Sequence, residues 1–180
     1  MGGALHLSRR FLGSLVARRP DDRELAWVRA QLSATEWGLW QELSRADRRH
    51  SLTVARDVER RLRHTPHLED SRWIAAALLH DVGKVEAGLG TVPRVGATLL
   101  AGVVGRARVR GWADRRGALG RAGRYLCHPE LGAQRLRAVA ARDETVAWAA
   151  VHHGGDPRGV LASATVPEVV ADALRAADDD

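Results

Sequence analysis

The stretch 69–81, EDSRWIAAALLHD, constrains the fold of this chain more than any other. Its residues 73–79 are apolar on every side of a helical projection, whereas a helix at a protein surface is apolar along one stripe. The spacing predicts a central helix that is surrounded by other elements, with Gly83 able to end it. A helix of this kind requires a bundle of helices to cover it.

Other segments supply helices for such a bundle. Ser33 and Glu36 form a capping-box pattern, and the stripe His50, Val54, Val58 and Leu62 has strict i, i+4 spacing. Further helices are predicted to open at Pro129, at a capping Asp143 and at Pro167. No segment alternates convincingly as a strand does, so the predicted fold class is all-α. The six tryptophans lie mostly on apolar helical faces and are expected in the core.

A chain of 180 residues is long enough for one domain with a substantial core. We expect an N-terminal helical extension over 1–43, in which 1–20 form a short amphipathic helix. The main helical domain is expected over 44–180. Residues 86–124 are rich in glycine and are interpreted as an insertion with basic helical and loop segments that contains one apolar helix.

Composition favours a cytoplasmic protein. Cys127 is the one cysteine, so no intrachain disulfide can form, and no signal peptide is evident. The longest apolar run, 95–105, is too short to span a bilayer. Residues 94–124 carry eight arginines and one acidic residue, which could attract an anionic ligand. That stretch has a single aromatic residue, Trp112, so nucleic acid is not an expected partner.

Residues of the types that bind metals occur at the ends of two predicted helices. His80-Asp81 and His152-His153 each precede glycine, at helix C-termini whose partial negative charge favours a cation. His50, His128 and acidic residues of the last helix add to this set. A single histidine on an apolar face is usually a hydrogen-bonded core residue, but this number of ligand types indicates a site for Zn, Fe or Mn.

The ordered set His50, His80-Asp81 and Asp178, with "HDVGK", "HPELGA" and "HH", resembles the HD-domain superfamily of metal-dependent phosphohydrolases. The likeness covers about 44–180. It is similar to the dinuclear members, which include the HD-GYP phosphodiesterases of cyclic dinucleotides, but "HH" is followed by GGDPRG and the Gly-Tyr-Pro motif is missing.

The resemblance implies two divalent metal ions, each held by part of this set. One would be held by His50, His80, Asp81 and Asp178, with Asp172 as the alternative last ligand. Asp81 would bridge to a second ion that is completed by His128 and by His152 or His153. His64 and His67 flank Pro66 and are expected to be exposed to solvent.

Lys84 is the only lysine among 28 basic residues. A compact ammonium meets a phosphate in less space than a guanidinium does, and the resemblance implies that this lysine faces the substrate phosphate. Lys84 and Asp81 are the expected catalytic residues. Arg106, Arg108 and Arg110 are expected only to steer an anion toward the site.

The expected function is hydrolysis of a phosphoester or phosphoanhydride in a small nucleotide-like substrate by a metal-activated water. Two alternatives stay open, a di-iron oxygenase of the same superfamily and a non-catalytic, metal-bound module that senses a nucleotide. The sequence leaves the substrate, the metal and the oligomeric state undetermined.

Overall fold

Helices make up every regular element of the structure, a computed structural model that describes residues 18–68, 70–154 and 157–179. No strand occurs within these ranges, which confirms the all-α prediction. In chain order the elements are α1 (Asp22–Gln31), α2 (Ala34–Glu42), α3 (Arg45–Arg61), α4 (Ser71–Leu79), a 3₁₀ helix (Val82–Ala87), α5 (Thr91–Val104), α6 (Arg106–Arg110), α7 (Gly117–Leu126), α8 (His128–Ala138), α9 (Asp143–Val151), α10 (Pro157–Ser163) and α11 (Glu168–Asp179).

Helix α4 is the central helix, as predicted. All residues from Trp73 to Leu79 are buried, and the helix contacts α1, α2, α3, α9 and α11. The expectation that Gly83 ends this helix is wrong. Helix α4 ends at Leu79 with His80 as its C-cap, and Gly83 lies inside the following 3₁₀ helix without a left-handed backbone.

The stripe on α3 faces the core. Val54, Val58 and Leu62 are buried, and His50 lies at the edge of the same face with 29% of its side chain exposed. The capping box of Ser33 and Glu36 is present at the start of α2. Asp143, by contrast, is not a cap: Arg142 takes the N-cap position of α9, and Asp143 is the first helical residue, where a negative charge is still favourable.

The insertion contains three helices, of which α5 is the predicted apolar helix, and α6 and α7 are further helices that the sequence did not resolve. These helices enclose a small core of their own, formed by Ala97, Ala101, Val109, Ala122 and Leu126. Some glycines of the insertion permit close packing of helices and do not form loops. A Cβ at Gly123 would lie 2.4 Å from the backbone nitrogen of Ala113, so α7 can touch the preceding turn only because that side chain is missing.

The two N-terminal helices α1 and α2 pack against α4. The amphipathic helix predicted over 1–20 lies almost wholly outside the described residues. Of the six tryptophans, Trp40, Trp73 and Trp148 are buried and the other three are partly buried. Within the described ranges no single helix is long and apolar enough to cross a membrane. The helical segments 71–87 and 91–104 meet that test only together, across an 83° bend.

An ion pair joins the N-terminal extension to α3 and gives a first prediction. Arg49 donates two hydrogen bonds to Glu24, at 2.7 and 2.9 Å, and this lowers the pKa of Glu24 to about 2. Glu24→Gln should therefore lower the free energy of unfolding by about 1 kcal/mol at pH 7. Since the folded-state pKa is depressed, the stabilisation is complete above pH 4.5 and is lost as pH falls through 2.

Urea unfolding at pH 7 and at pH 3 measures this difference, which should fall by about half at the lower pH. Glu59→Gln is a matched control, because the Glu59–Arg56 pair is more exposed and should contribute only a few tenths of a kcal/mol. Equal effects of the two substitutions at both pH values would show that the Glu24–Arg49 pair does not stabilise the docking of α1.

Candidate metal centre

Seven side chains of metal-binding types meet at one end of the central helix. They form two adjacent clusters in which one potential ligand atom from each residue lies within 4.8 Å of the others. The first cluster comes from α3, the end of α4 and α11, and the second from the end of α4, the start of α8 and the end of α9. Their members are His50, His80 and Asp178 in the first, and Asp81, His128, His152 and His153 in the second.

Asp81 lies between the two clusters, and its carboxylate is fully buried. Its Oδ2 is 3.4 Å from His80 Nε2 and 3.9 Å from His50 Nε2, on the side of the first cluster. Its Oδ1 is 3.6 Å from His128 Nε2 and 3.4 Å from His152 Nε2, on the side of the second. One carboxylate thus presents an oxygen to each cluster, which is the arrangement that a bridging ligand needs.

Three of the histidines are oriented by the same device. Each follows the end of a helix, and its Nδ1 bonds a carbonyl oxygen three residues earlier: His80 with Ala77 at 2.8 Å, His128 with Tyr125 at 2.6 Å and His152 with Ala149 at 2.9 Å. Carbonyls in the last turn of a helix have no partner within the helix, so they are available as acceptors. This bond keeps the proton on Nδ1 and leaves the Nε2 lone pair for a metal.

Several buried ligand atoms of the two clusters are of the types that bind a cation. The Nε2 atoms of His80, His128 and His152 and the Oδ1 of Asp81 are buried, and none has a hydrogen-bond partner among the residues that the structure describes. A buried polar atom without a partner costs about 1–3 kcal/mol. Three of these atoms lie in the second cluster and His80 Nε2 lies in the first, and all are nitrogen or carboxylate oxygen, donor types suited to Zn, Fe or Mn.

Burial and neighbouring charges set the protonation states of several of these side chains. Burial lowers the pKa of His80, but the carboxylates of Asp81 and Asp178 outweigh burial and raise it to about 10. Burial lowers the pKa of His128 well below its usual value and that of His153 to about 3. His128 and His153 are therefore neutral imidazoles, while at His80 a proton and a metal ion compete for the same nitrogen.

Lys84 lies beside the bridging residue. Its Nζ donates to Asp81 Oδ2 at 2.5 Å, and 13% of its side chain is exposed. Burial alone would lower the pKa of Lys84, but the carboxylates of Asp81 and Asp47 raise it, so the ammonium stays charged. The structure thus places this lysine at the edge of the two clusters.

A buried ion pair behind Lys84 was missed from the sequence. Arg94 of α5 donates to both carboxylate oxygens of Asp47, at 2.5 and 2.8 Å, and connects the insertion to α3. A signal for it was available, since Arg94 is the one charged residue in the apolar segment 91–104. A lone charge in such a helix indicates that it points at a partner and not at solvent.

The structure distinguishes between the two aspartates proposed as the last ligand. Asp178 is buried, with Oδ1 3.3 Å from His50 Nε2 and 3.5 Å from His80 Nε2. The side chain of Asp172 is 64% exposed and pairs with Arg175 on the surface of α11. The geometry therefore favours Asp178.

His152 and His153 differ in how deeply they lie in the site. The ring of His152 is buried against Asp81, while His153 is at the exposed rim with its ring centroid 4.2 Å from that of His152.

The predictions for residues away from the clusters had mixed outcomes. His64 is exposed as expected, but the prediction for His67 was wrong, because it is half-buried with its ring against Trp73. Arg110, expected to steer an anion, is instead bonded to the Leu126 carbonyl and to Glu130.

Comparison with known proteins agrees with this geometry. The family described as "HD domain" matches residues 48–178, which span all seven side chains of the two clusters. No curated protein and no solved structure matches the chain at a significant level.

Proposed function

We propose that this chain, which belongs to the HD-domain family, hydrolyses a phosphoester or phosphoanhydride bond in a small nucleotide-like metabolite. The family consists in general of metal-dependent hydrolases. The observation that supports the proposal most is the position of Asp81, whose two oxygens face two different clusters of histidines. A shared carboxylate is expected where two metal ions act on one substrate.

In this proposal each cluster holds one divalent ion of Fe, Mn or Zn. His50, His80 and Asp178 would hold the first, His128 and His152 or His153 would hold the second, and Asp81 would contribute to both. A pair of bound ions supplies a water of lowered pKa and neutralises charge on a phosphoryl group. The chain itself fixes the orientation of three imidazoles through their Nδ1 hydrogen bonds, which leaves the Nε2 of each as the ligand atom.

Lys84 is the proposed substrate-binding and catalytic residue of the chain. Its charged ammonium is next to the bridging carboxylate and is held in a water-poor setting, where a directed charge acts more strongly than in bulk water. The partly exposed His50 and the exposed His153 mark where the clusters reach the surface. A phosphorylated ligand that enters there would meet the ammonium and both clusters together.

A substrate screen tests the proposal. Protein loaded with Mn, Fe or Zn is incubated with nucleotides and other phosphorylated metabolites, with and without dioxygen, and phosphate or nucleotide products are measured. We expect hydrolysis that needs metal and proceeds equally without dioxygen. Turnover that requires dioxygen would identify the oxygenase alternative, and nucleotide binding without turnover would identify the sensor. Asp178→Asn is the inactive control.

Lys84 gives a second prediction. Lys84→Met should retain the fold and both metal ions while turnover at saturating substrate falls by about two to three orders of magnitude, since one directed charge is lost. Lys84→Arg should restore activity only in part, because the guanidinium is larger and directed differently. The readouts are kcat and metal content, measured on the same samples.

An exposed basic residue provides the matched control, and Arg63→Met should leave kcat unchanged. Full activity of Lys84→Met with its metal content confirmed would rule out a contact between Lys84 and the reacting phosphate. If Lys84→Met loses metal but keeps its activity per bound metal ion, the role of Lys84 is instead to hold Asp81 in position.

A further inference from the structure

Helix α5 has an outward face that no described residue covers. Val92, Leu99 and Val103 lie on one side of the helix at i, i+7 and i+11, and they are 60%, 66% and 88% exposed. We call these three residues the α5 face. A surface helix ordinarily carries polar residues on its outward side. Here the one charged residue of the helix, Arg94, points inward to Asp47, so the outward side has no charge at all.

Exposed arginines follow the α5 face along the chain. Arg106 and Arg108 follow Val103 within five residues and are exposed, as are three further arginines along the turn and helix that come next. Asp114 is the only acidic residue between positions 91 and 126. The exposed arginines of this group are Arg106, Arg108, Arg115, Arg116 and Arg121.

We propose that the α5 face and its arginines dock the chain onto the surface of an anionic lipid bilayer. The aliphatic side chains enter the boundary between headgroups and acyl chains, and the arginines contact lipid phosphates. Interfacial helices combine these two features, an apolar face and adjacent basic residues. Each basic residue near an anionic leaflet adds electrostatic attraction to it. This binding is separate from the metal centre and does not depend on the proposed hydrolysis.

The charge distribution favours a bilayer over other partners. Two copies of the chain paired through the α5 face would bring Arg106 and Arg108 of each copy to a common interface, where like charges repel. Nucleic acid would suit the arginines but not the aliphatic residues, and the aromatic side chains packed on the small core, Trp112 and Tyr125, are both partly buried. An anionic bilayer complements both parts of the surface.

Vesicle sedimentation with the full, metal-loaded chain tests the proposal. Vesicles of phosphatidylcholine alone are compared with vesicles that contain about one third phosphatidylglycerol. We expect binding to the anionic vesicles that weakens as NaCl is raised, and much weaker binding to the neutral ones. Leu99→Gln with Val103→Gln should reduce the apparent affinity at least about tenfold, and Arg106→Gln with Arg108→Gln should reduce it by a similar factor.

Two matched double variants serve as controls. Val160→Gln with Val169→Gln changes exposed valines on α10 and α11, and Arg23→Gln with Arg63→Gln changes exposed arginines outside the insertion; neither pair should alter binding. Circular dichroism confirms that all variants are folded. The proposal is overturned if the wild-type chain fails to bind anionic vesicles, or if the α5 variants bind as well as the wild type. If the wild-type chain does not bind vesicles but forms a dimer, and Leu99→Gln with Val103→Gln dissociates that dimer, the α5 face binds a second copy of the chain.

Discussion

Replacing Gly83 by alanine is expected to lower the free energy of unfolding by about 3 kcal/mol or more and to disrupt the second metal cluster. The Cβ of an alanine would lie 1.9 Å from the carbonyl oxygen of His128 and 2.5 Å from the amide nitrogen of Gly132. Both are backbone atoms of α8, so no side-chain rotation can relieve the clash. The 3₁₀ helix and α8 must separate, and this moves Asp81 away from His128.

Urea unfolding and metal content measure the two parts of this prediction. Gly38→Ala is the matched control: Gly38 lies within α2, and a Cβ there would meet nothing within 4 Å. It should raise the stability by about 0.5–1 kcal/mol, because alanine favours the helix. Gly83→Ala protein with wild-type stability and two bound ions would show that the close approach at this position is not needed for the site.

Asp81→Asn is expected to remove both metal ions, with apparent affinities at least about 100-fold weaker. The amide nitrogen cannot serve as a ligand, and the loss of the charge removes the carboxylate that faces both clusters. Asp178→Asn should weaken only the ion of the first cluster, since Asp178 is near His50 and His80 and not near the second group. Asp172→Asn, on the exposed side of the same helix, should change neither affinity.

The three variants form a graded series of zero, one and two ions that can be followed by metal titration. Retention of one tightly bound ion in Asp81→Asn would contradict a shared ligand. Loss of an ion in Asp172→Asn, with none lost in Asp178→Asn, would reverse the choice of the last ligand.

The ligand set could be predicted from the sequence because its members occur at helix ends or on one helical stripe. His80-Asp81 and His152-His153 follow predicted helices, and the order of residues resembles a known family. Which oxygen of Asp81 faces which histidine depends on how α4, α8 and α9 meet, and no local pattern encodes that contact. The assignment of the ions to these residues stays a prediction.

Other predictions from the sequence were wrong or incomplete for identifiable reasons. A glycine that ends a helix and a glycine that permits close contact of two backbones are the same residue in a sequence, so Gly83 was assigned the wrong role. The glycines of the insertion were interpreted as loop residues, so two of its three helices were not predicted. Gly123, for example, allows α7 to pack closely on the preceding turn. Asp47 and Arg94 lie 47 residues apart, and only the arrangement of α3 and α5 brings them together.

The number of metal ions per chain tests the central claim most directly. Protein purified without chelators and titrated with Mn, Fe or Zn is freed of excess metal and analysed for its elemental content. Two clusters that share Asp81 predict a ratio that approaches two ions per chain in the wild type and falls toward one in His128→Ala. A wild-type ratio that stays at one under saturating metal would contradict the dinuclear centre, and a ratio of zero would contradict the metal-dependent function as well.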